Sequence, residues 1–465
     1  MRGITKLSVL SLSLFVLSGC WLDDDNDNTS SVTPPEPEPQ SSYLRIHHTS
    51  ADAPNVNVLA DGSALLENVP YQASSDILEV DAASYSVTVQ GILPDDTTVD
   101  AIGPVDLDLE ADTRYDVFAI GNVGDESLEP LVIANPVSEV ASGESRLQVV
   151  HAAYDAPTVD VYLTAPDEEL ASASAAATLE YGDYTGQIDV NAGDYRVRLT
   201  PAGETTVVYD SGTLPLADGG DYVVSATDDV ETAGSPVALQ IATGVGADTL
   251  LVPSADAGSD LRVIHAAADA PAVNVTLNEA AEPQVSELAF TEFTPYLNVP
   301  AGDYSVDVAV AADGTNVLSG ELALENSTSY SVYAVGAVED GSLGLQVLTE
   351  NRRTIATAAQ LQIVHAAPSA GEVDIYLTET DDISNADPVL TGIPFVVDEL
   401  VTTGNVQVFP GQYFATVTAA GTKEAAIGPV ELTLTDSGLY TIVAVDADGS
   451  GLPPQVILLD DFVAE

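Results

Sequence analysis

One short stretch occurs four times in this chain, and its spacing constrains the fold more than any other feature. It begins with a histidine, passes through Asp-Ala-Pro in three of its copies, and leads into an alternating segment such as Thr158-Val-Asp-Val-Tyr-Leu163. The histidines are His48, His151, His265 and His365, at intervals of 103, 114 and 100 residues. Such an interval is too long for a solenoid unit and fits a whole domain, so the sequence predicts four tandem domains.

Each unit reads as a series of short strands. In Leu147-Gln-Val-Val-His151, apolar residues and the histidine share one face, which is the period of a β-strand. The segment after Asp-Ala-Pro alternates in the same way, so the two form either a hairpin or a strand pair across two sheets. Two tyrosine markers follow in every unit, and the later one resembles the tyrosine corner of β-sandwiches. Their positions are Tyr85, Tyr195, Tyr304 and Tyr413, then Tyr115, Tyr222, Tyr330 and Tyr440.

These patterns predict an all-β chain of tandem antiparallel β-sandwich domains, immunoglobulin-like or transthyretin-like, with about seven strands each. Short polar linkers between the units predict a semi-rigid arrangement of beads on a string. The predicted sandwich repeats are 43–138, 146–247, 260–351 and 360–465.

The N-terminus predicts export and a lipid anchor. A cationic start precedes an apolar run from Leu7 to Ser18, which is too short to span a bilayer as a helix. The run ends in Leu17-Ser-Gly-Cys20, which resembles the lipobox of bacterial lipoproteins. That resemblance implies a signal peptide at 1–19 and a Cys20 that carries acyl chains such as palmitate. An acidic, proline-rich tether at 20–42 would follow, so we expect a protein anchored to the outer membrane or cell surface, with its ectodomain in the periplasm or outside.

The charge balance excludes some partners. Lys and Arg total 11 against 73 Asp and Glu, for a formal net charge of −62, so no basic surface exists to bind nucleic acid. An acid excess with so little lysine is typical of a marine or halophilic protein, although an ordinary acidic secreted protein would look similar. The single cysteine excludes an internal disulfide and a thiolate metal site.

The histidine stretch and the tyrosine markers together resemble a bacterial domain-of-unknown-function family that occurs singly or in tandem in secreted proteins and lipoproteins. The resemblance covers about 43–465 and implies an all-β fold and an envelope location, but no activity. The fourth unit departs from the pattern, with Ser369 in place of the aspartate and Gly371 in place of the proline.

The repeated histidine and aspartate are the candidate site residues. A metal pair or a catalytic base with its orienting carboxylate would use these residue types. We favour a structural role, in which a buried imidazole bonds turn carbonyls and the aspartate, because the histidine lies on the apolar face of its strand. The additional His47 should point to the opposite face, away from His48. The candidate pairs are His48 with Asp52, His151 with Asp155, and His265 with Asp269, while His365 lacks its aspartate.

No catalytic motif is present, so we expect a non-enzymatic, lipid-anchored envelope protein with a structural role or a binding and adhesive role toward a polysaccharide or protein surface. No metal site or cofactor is predicted, apart from weak Ca²⁺ binding at Asp446 to Gly451 or at Asp95-Asp96. One alternative is a surface hydrolase or carbohydrate-processing protein whose site lies in the insertion-like segments 167–187 or 378–404. The other alternative is a Ca²⁺-stiffened spacer.

Overall fold

The alternating segments of the sequence form strands, and these strands fall into four sets. The structure is a computed structural model that describes residues 40–244, 249–339, 341–396, 399–449 and 451–462. Two short 3₁₀ helices, Leu170–Ser172 and Pro368–Ala370, interrupt the strands. No helix in these residues combines the length and the apolar character needed to cross a bilayer. The predicted signal peptide, Cys20 and most of the tether lie outside the described residues.

The strands are numbered along the chain, and the four sets are called sandwiches 1 to 4. Sandwich 1 contains β1 (Ser41–His48), β2 (Val56–Ala60), β3 (Ser63–Val69), β4 (Leu78–Asp81), β5 (Ser84–Ile92), β6 (Thr98–Asp108), β7 (Thr113–Ile120) and β8 (Glu129–Pro136). Sandwich 2 contains β9 (Glu144–His151), β10 (Val159–Thr164), β11 (Ala177–Leu179), β12 (Ile188–Asn191), β13 (Gly193–Pro201), β14 (Tyr209–Asp210), β15 (Leu214–Leu216), β16 (Asp221–Asp228), β17 (Val237–Thr243) and β18 (Thr249–Val252).

Sandwiches 3 and 4 repeat the pattern. Sandwich 3 contains β19 (Ser259–His265), β20 (Val273–Leu277), β21 (Val285–Leu288), β22 (Leu297–Val299), β23 (Gly302–Val310), β24 (Asn316–Leu324), β25 (Thr328–Val335) and β26 (Gly344–Glu350). Sandwich 4 contains β27 (Ala359–Ala366), β28 (Val373–Thr378), β29 (Leu390–Ile393), β30 (Val401–Thr402), β31 (Val406–Val408), β32 (Gly411–Ala419), β33 (Ala425–Leu434), β34 (Leu439–Val445) and β35 (Gln455–Asp460).

Every sandwich has a head sheet, which contains the strand that carries the repeated histidine, and a second sheet. The head strand and the strand after Asp-Ala-Pro lie in different sheets, so they form a pair across the sandwich and not a hairpin. The head sheets have the orders β4-β1-β7-β8, β12-β9-β16-β17-β18, β22-β19-β25-β26 and β30-β27-β34-β35, with β31 also on β27. The second sheets have the orders β3-β2-β5-β6, β11-β10-β13-β14 with β15 on β13, β21-β20-β23-β24, and β29-β28-β32-β33.

The head strand pairs in parallel with the strand that contains the later tyrosine, which is called the closing strand. This is the one parallel pair in each otherwise antiparallel head sheet that the structure describes. The register is the same in all four sandwiches, because a leucine of the head strand always faces that tyrosine. The tyrosine hydroxyl accepts a hydrogen bond from the backbone N–H five residues earlier, at 3.0 to 3.1 Å. The predicted tyrosine corner is therefore confirmed.

Each core lies between the two sheets. In sandwich 1, Leu44 and Ile46 of the head strand pack with Val58 of the second sheet and with Tyr115 and Val117. Equivalent clusters fill the other three sandwiches. The predicted fold class, tandem β-sandwiches in an all-β chain, is confirmed.

The outer faces of the head sheets also pack, and they do so in pairs. Phe118, Ile120 and Ile133 of sandwich 1 form one buried cluster with Val150 and Val223 of sandwich 2. Sandwiches 3 and 4 share a larger cluster that includes Ile264, Tyr333, Val364, Val443 and Leu459. The picture of separate beads on a string is therefore corrected, because each head sheet buries both of its faces. Sheet-on-sheet packing of this kind removes apolar surface from water at about 25 cal/mol per Å².

Two further sets of contacts join the pairs. The loop after β16 reaches sandwich 3, where Ser329 Oγ donates to the Glu231 carbonyl at 2.5 Å and the Ala233 N–H donates to Asp260 at 3.0 Å. The linker after β26 contacts sandwich 1, where Arg353 donates to the Ala51 carbonyl at 2.7 Å and stacks over Tyr71 at 4.8 Å. Residues Gln40–Glu465 accordingly form one compact unit.

Candidate functional site

The four repeated histidines share one geometry. Each ring is only 1% exposed, and its Nε2 lies 2.9 to 3.2 Å from the backbone carbonyl oxygen six residues later. A carbonyl only accepts, so Nε2 carries the proton and the neutral ring leaves Nδ1 as an acceptor. Burial lowers the pKa of all four rings, to about 4 in His48. The contact holds the turn after the head strand, and it explains the tolerance of Gly371 in the proline position, because only the carbonyl is used.

An aromatic ring that the sequence pattern did not predict accompanies every one of these histidines. The ring centroids lie 6.1 to 6.2 Å apart in edge-on geometry. The partners are Tyr71, Tyr181, Phe290 and Phe395, which follow their histidines by 23, 30, 25 and 30 residues. Because loops of different length separate them, no fixed spacing could have shown the pairing.

The expected bond between the histidine and the aspartate of the turn is not formed. Asp52 instead accepts hydrogen bonds from the backbone N–H groups of Val123 and Gly124, both at 2.8 Å. Asp269 does the same for Val338 and Glu339, at 2.8 and 3.0 Å. In sandwiches 1 and 3, the aspartate of the turn therefore holds the loop that follows the closing strand, not the imidazole.

In sandwiches 2 and 4, the carboxylate comes from the end of the closing strand and accepts hydrogen bonds from the turn after the histidine. Asp228, at the end of β16, accepts from the N–H groups of Tyr154 and Asp155 at 3.0 and 3.1 Å. Asp446 accepts from the Ser369 hydroxyl at 2.8 Å and from its N–H at 3.1 Å. Asp155 contributes its backbone while its side chain is exposed.

A glycine takes the place of Asp228 and Asp446 in sandwiches 1 and 3. Gly121 and Gly336, like the two aspartates, lie six residues after the closing-strand tyrosine. Both have positive φ, and an added Cβ would lie 2.3 Å from a carbonyl oxygen. In every sandwich, one carboxylate therefore joins the turn after the head strand to the segment after the closing strand. The turn supplies this carboxylate in sandwiches 1 and 3, and the end of the closing strand supplies it in sandwiches 2 and 4.

The additional His47 points to the opposite face from His48, as predicted, and lies in the junction between sandwiches 1 and 2. It stacks on Phe118 with ring centroids 4.0 Å apart, and its Nε2 lies 3.2 Å from Asp116. Arg45, which is fully buried, donates to Asp116 at 2.7 Å and to the Thr243 carbonyl of sandwich 2 at 2.5 Å. Burial alone would raise the pKa of Asp116, but the His47 hydrogen bond and the Arg45 charge hold it below its ordinary value.

Each of the nine basic side chains in the described residues has an internal partner. Arg45 and Arg114 bind Asp116, Arg146 binds Asp189, Arg196 binds Asp210, Arg198 donates to Thr164 and the Glu168 carbonyl, Arg262 binds Asp460, Arg352 binds Asp260, Arg353 donates to the Ala51 carbonyl, and Lys423 donates to the Ile383 carbonyl. Positive charge therefore serves internal contacts, and the remaining carboxylates give the surface its strong acidity.

Two cavities lie beside residues of these sets, one next to His48 and one next to Arg262. One, of about 490 Å³, lies beside His48 and is lined mainly by apolar groups such as Pro54, Val56 and Ile102. His48 keeps its carbonyl contact there. The other, of about 640 Å³, lies between sandwiches 3 and 4, and its lining includes charged groups such as Arg262 and Glu350.

The calcium and hydrolase candidates show ordinary local contacts. Asp95 accepts hydrogen bonds from the Thr97 N–H and hydroxyl, and Asp446 is engaged with Ser369. In segment 378–404, the Ile383 carbonyl accepts from Lys423. Within the described ranges, no three His, Cys, Asp or Glu side chains are grouped as a metal site.

The sequence profile of a family described as Domain of unknown function (DUF4397) matches residues 42–162 and 259–376, which together exceed half of the chain. The chain belongs to the DUF4397 family. Each DUF4397 match begins at a head strand, in sandwich 1 or 3, and ends in the second strand of the next sandwich, so the predicted tandem copies are confirmed at the level of two matches.

Other comparisons add little to the DUF4397 assignment. A search of curated proteins found no match. Among solved structures, a product complex of the multi-modular glycogen-degrading pneumococcal virulence factor SpuA is 11% identical, with a TM-score of 0.15, and 60% of this chain and 37% of that chain are covered. The major pilin subunit BcpA of Bacillus cereus is 13% identical, with a TM-score of 0.14 and coverage of 65% and 99%. This DUF4397 chain thus spans little more than a third of the SpuA chain, and neither likeness carries an argument.

Proposed function

We propose that this protein is a lipid-anchored, non-enzymatic scaffold of the bacterial cell envelope. Its paired sandwiches would present an acidic surface outside the membrane, for a structural role or for binding a polysaccharide or a protein surface. The observation that carries this proposal is the common state of the four repeated histidines: buried, neutral and bonded to a turn carbonyl. A general base needs access to a substrate, and a metal ligand needs partners around it.

The acidity of the surface supports the envelope location. The cations of the described residues are engaged by partners within the chain, so solvated carboxylates dominate the exterior and keep molecules apart. Such a surface suits a saline medium, where the screening length is short, about 3 Å at 1 M salt. The lipobox-like segment at Cys20 and the acidic tether agree with this location.

The anchor is tested by labelling cells with an alkyne analogue of palmitate. We expect the wild-type protein to be labelled, the Cys20→Ala variant to be unlabelled, and an inhibitor of the lipoprotein signal peptidase to leave residues 1–19 attached. A wild-type protein without label would refute the lipid anchor.

The absence of catalysis is tested in parallel on the purified protein with a panel of glycans, peptides and esters. We expect no turnover by the wild type. The variants His151→Ala and His365→Ala should be less stable, by about 2–4 kcal/mol for loss of a large buried group. Turnover of any of these substrates by the wild type would refute the non-enzymatic role, and its loss in either variant without loss of fold would assign the reaction to that histidine.

A further inference from the structure

The cleft between sandwiches 3 and 4 is the open counterpart of a position that is closed between sandwiches 1 and 2. Arg262 occupies the place of Arg45, since each follows the head-strand leucine that faces the closing tyrosine. Both reach the partner sandwich at matching positions: Arg45 contacts the Thr243 carbonyl and Arg262 contacts the Asp460 carboxylate, each at 2.5 Å. The two arginines therefore hold equivalent positions in the two junctions.

Two contacts close the first junction and are lost in the second. Arg114 pairs with Asp221 at 2.7 Å across sandwiches 1 and 2. The corresponding residues of sandwiches 3 and 4 are Ser329 and Leu439, which precede Tyr330 and Tyr440 as Arg114 and Asp221 precede their tyrosines. A serine and a leucine cannot form that bridge.

The second closing contact is an amide pair. Asn135 donates to Gln148 at 2.8 Å across the first junction. By register, Glu350 replaces Asn135, and Gln362 replaces Gln148. Glu350 and Gln362 both line the cleft of about 640 Å³.

Glu350 is the residue that points to a ligand. It is only 7% exposed, its Oε1 makes no hydrogen bond within the described residues, and its ion pair with Arg262 is long, at 3.5 Å. The ion-pair partner of this oxygen, Arg262 Nη2, is too distant for a good hydrogen bond, so an occupant whose N–H group lies within about 3 Å would satisfy the oxygen better.

The charges of the cleft give the class of that occupant. Arg262 is bound by Asp460, and Arg352 is bound by Asp260 at 2.5 Å. Both guanidinium groups also lie against Tyr296, at 4.7 and 4.2 Å from the ring centre, so that ring is already covered. Four carboxylates, those of Asp260, Glu350, Asp460 and Asp461, face two arginines, which leaves a formal charge of −2.

We propose that this cleft binds a small aliphatic ligand with two ammonium groups, and that Glu350 accepts a hydrogen bond from one of them. Asp461, at the rim, is the acceptor for the second. This site goes beyond the scaffold role, and it can be absent without affecting lipidation or folding, which are measured separately.

The test is calorimetric titration of the detergent-extracted mature protein with 1,4-diaminobutane, with butylamine and 1,4-butanediol as matched probes. We expect one saturable site for the diamine, weaker binding of the monoamine and none of the diol. Equal binding of butylamine or of the diol would overturn the proposal, as would the absence of a saturable site.

Two substitutions of Glu350 test its role. Glu350→Gln removes the charge with little change of shape and should weaken diamine binding about tenfold or more. Glu350→Asn recreates the Asn–Gln pair of the first junction and should abolish binding without lowering the melting temperature.

The control is Glu139→Gln, an equal charge change at an exposed position away from the cleft. It should leave the affinity unchanged. Wild-type affinity in Glu350→Gln would show that Glu350 is not the acceptor, and an equal loss in Glu139→Gln would show that the amine responds only to the overall acidity. Either result would refute the site.

Discussion

The junction of sandwiches 1 and 2 and the junction of sandwiches 3 and 4 use the same backbone surfaces but different chemistry. The first contains a fully buried arginine, an aspartate and a histidine, together with a short apolar cluster. The second is mainly apolar, with Tyr333, Val443 and Leu459 at its centre, and its charges gather at one side around a cleft. The same head-sheet surface can therefore pack against its neighbour through buried polar contacts in one pair of sandwiches and through apolar contacts in the other.

The alternation between odd and even sandwiches is part of the same comparison. Position 45 and its counterpart 262 are arginines in the first member of each pair, while 148 and 362 are glutamines in the second. The Gly/Asp exchange at 121, 228, 336 and 446 follows the same alternation. The structural unit of this chain is therefore a pair of unlike sandwiches. Each pair contains one sandwich of the odd-numbered type and one of the even-numbered type.

The largest expected effect separates the two junctions directly. Asp116→Ala leaves Arg45 fully buried without its carboxylate, which should lower the free energy of unfolding by about 3–5 kcal/mol. The matched change is Ser331→Ala, at the position where Arg262 Nε donates to a hydroxyl at 2.6 Å, and it should cost about 1–2 kcal/mol, because Asp460 still pairs with Arg262. Urea unfolding measures both variants. Equal losses would mean that the two junctions depend on their arginines to the same degree.

A second prediction concerns pH and the first junction, where the Asp228 carbonyl also accepts from Tyr71. Burial raises the pKa of Asp228 from 3.8 to about 6. A raised acid pKa means that the fold favours the protonated form, so this contribution to stability is present below about pH 4 and is lost as the pH rises through 6. At about 1.4 kcal/mol per pH unit, the unfolding free energy of the wild type relative to Asp228→Asn should fall by up to about 3 kcal/mol between pH 4 and 7.

The control for this pH effect is Glu139→Gln, which removes an exposed carboxylate and shows whether the loss of any one negative charge gives the same pH dependence. Parallel curves for the wild type and Asp228→Asn would show that the buried carboxylate is not the group that titrates.

The sequence predicted what repeats locally. The period-two strands, the turn after the histidine and the tyrosine corner all follow from short segments whose preferences agree with the fold. The structural role proposed for His48 follows from its position on the apolar face of the strand. The alternation of Leu44, Ile46 and His48 in the sequence already indicated that position.

The features that the sequence analysis missed depend on distant residues. The partner of Asp52 lies 71 residues away in the loop at Val123, so proximity along the chain wrongly suggested His48. The pairing of the head sheets was hidden because strands with two buried faces look like ordinary core strands with a few polar residues. Arg45 and Gln148 follow the leucine of their head strands, and polar residues on the outer face of a buried strand were the one indication in the sequence that these faces pack against each other.

The smallest expected effect tests the apolar junction. Tyr333 is fully buried, and its hydroxyl has no hydrogen-bond partner within the described residues. Its counterpart in the first junction is Phe118, because both lie three residues after the closing-strand tyrosine. Tyr333→Phe should therefore raise the free energy of unfolding by about 1 kcal/mol, since an unsatisfied hydroxyl no longer has to be desolvated. Phe118→Tyr should lower it by about 1–3 kcal/mol, because Phe118 is fully buried and the added hydroxyl would have to leave water. Thermal and urea unfolding measure both, and a loss of stability in Tyr333→Phe would contradict the prediction and show that this hydroxyl stabilises the junction.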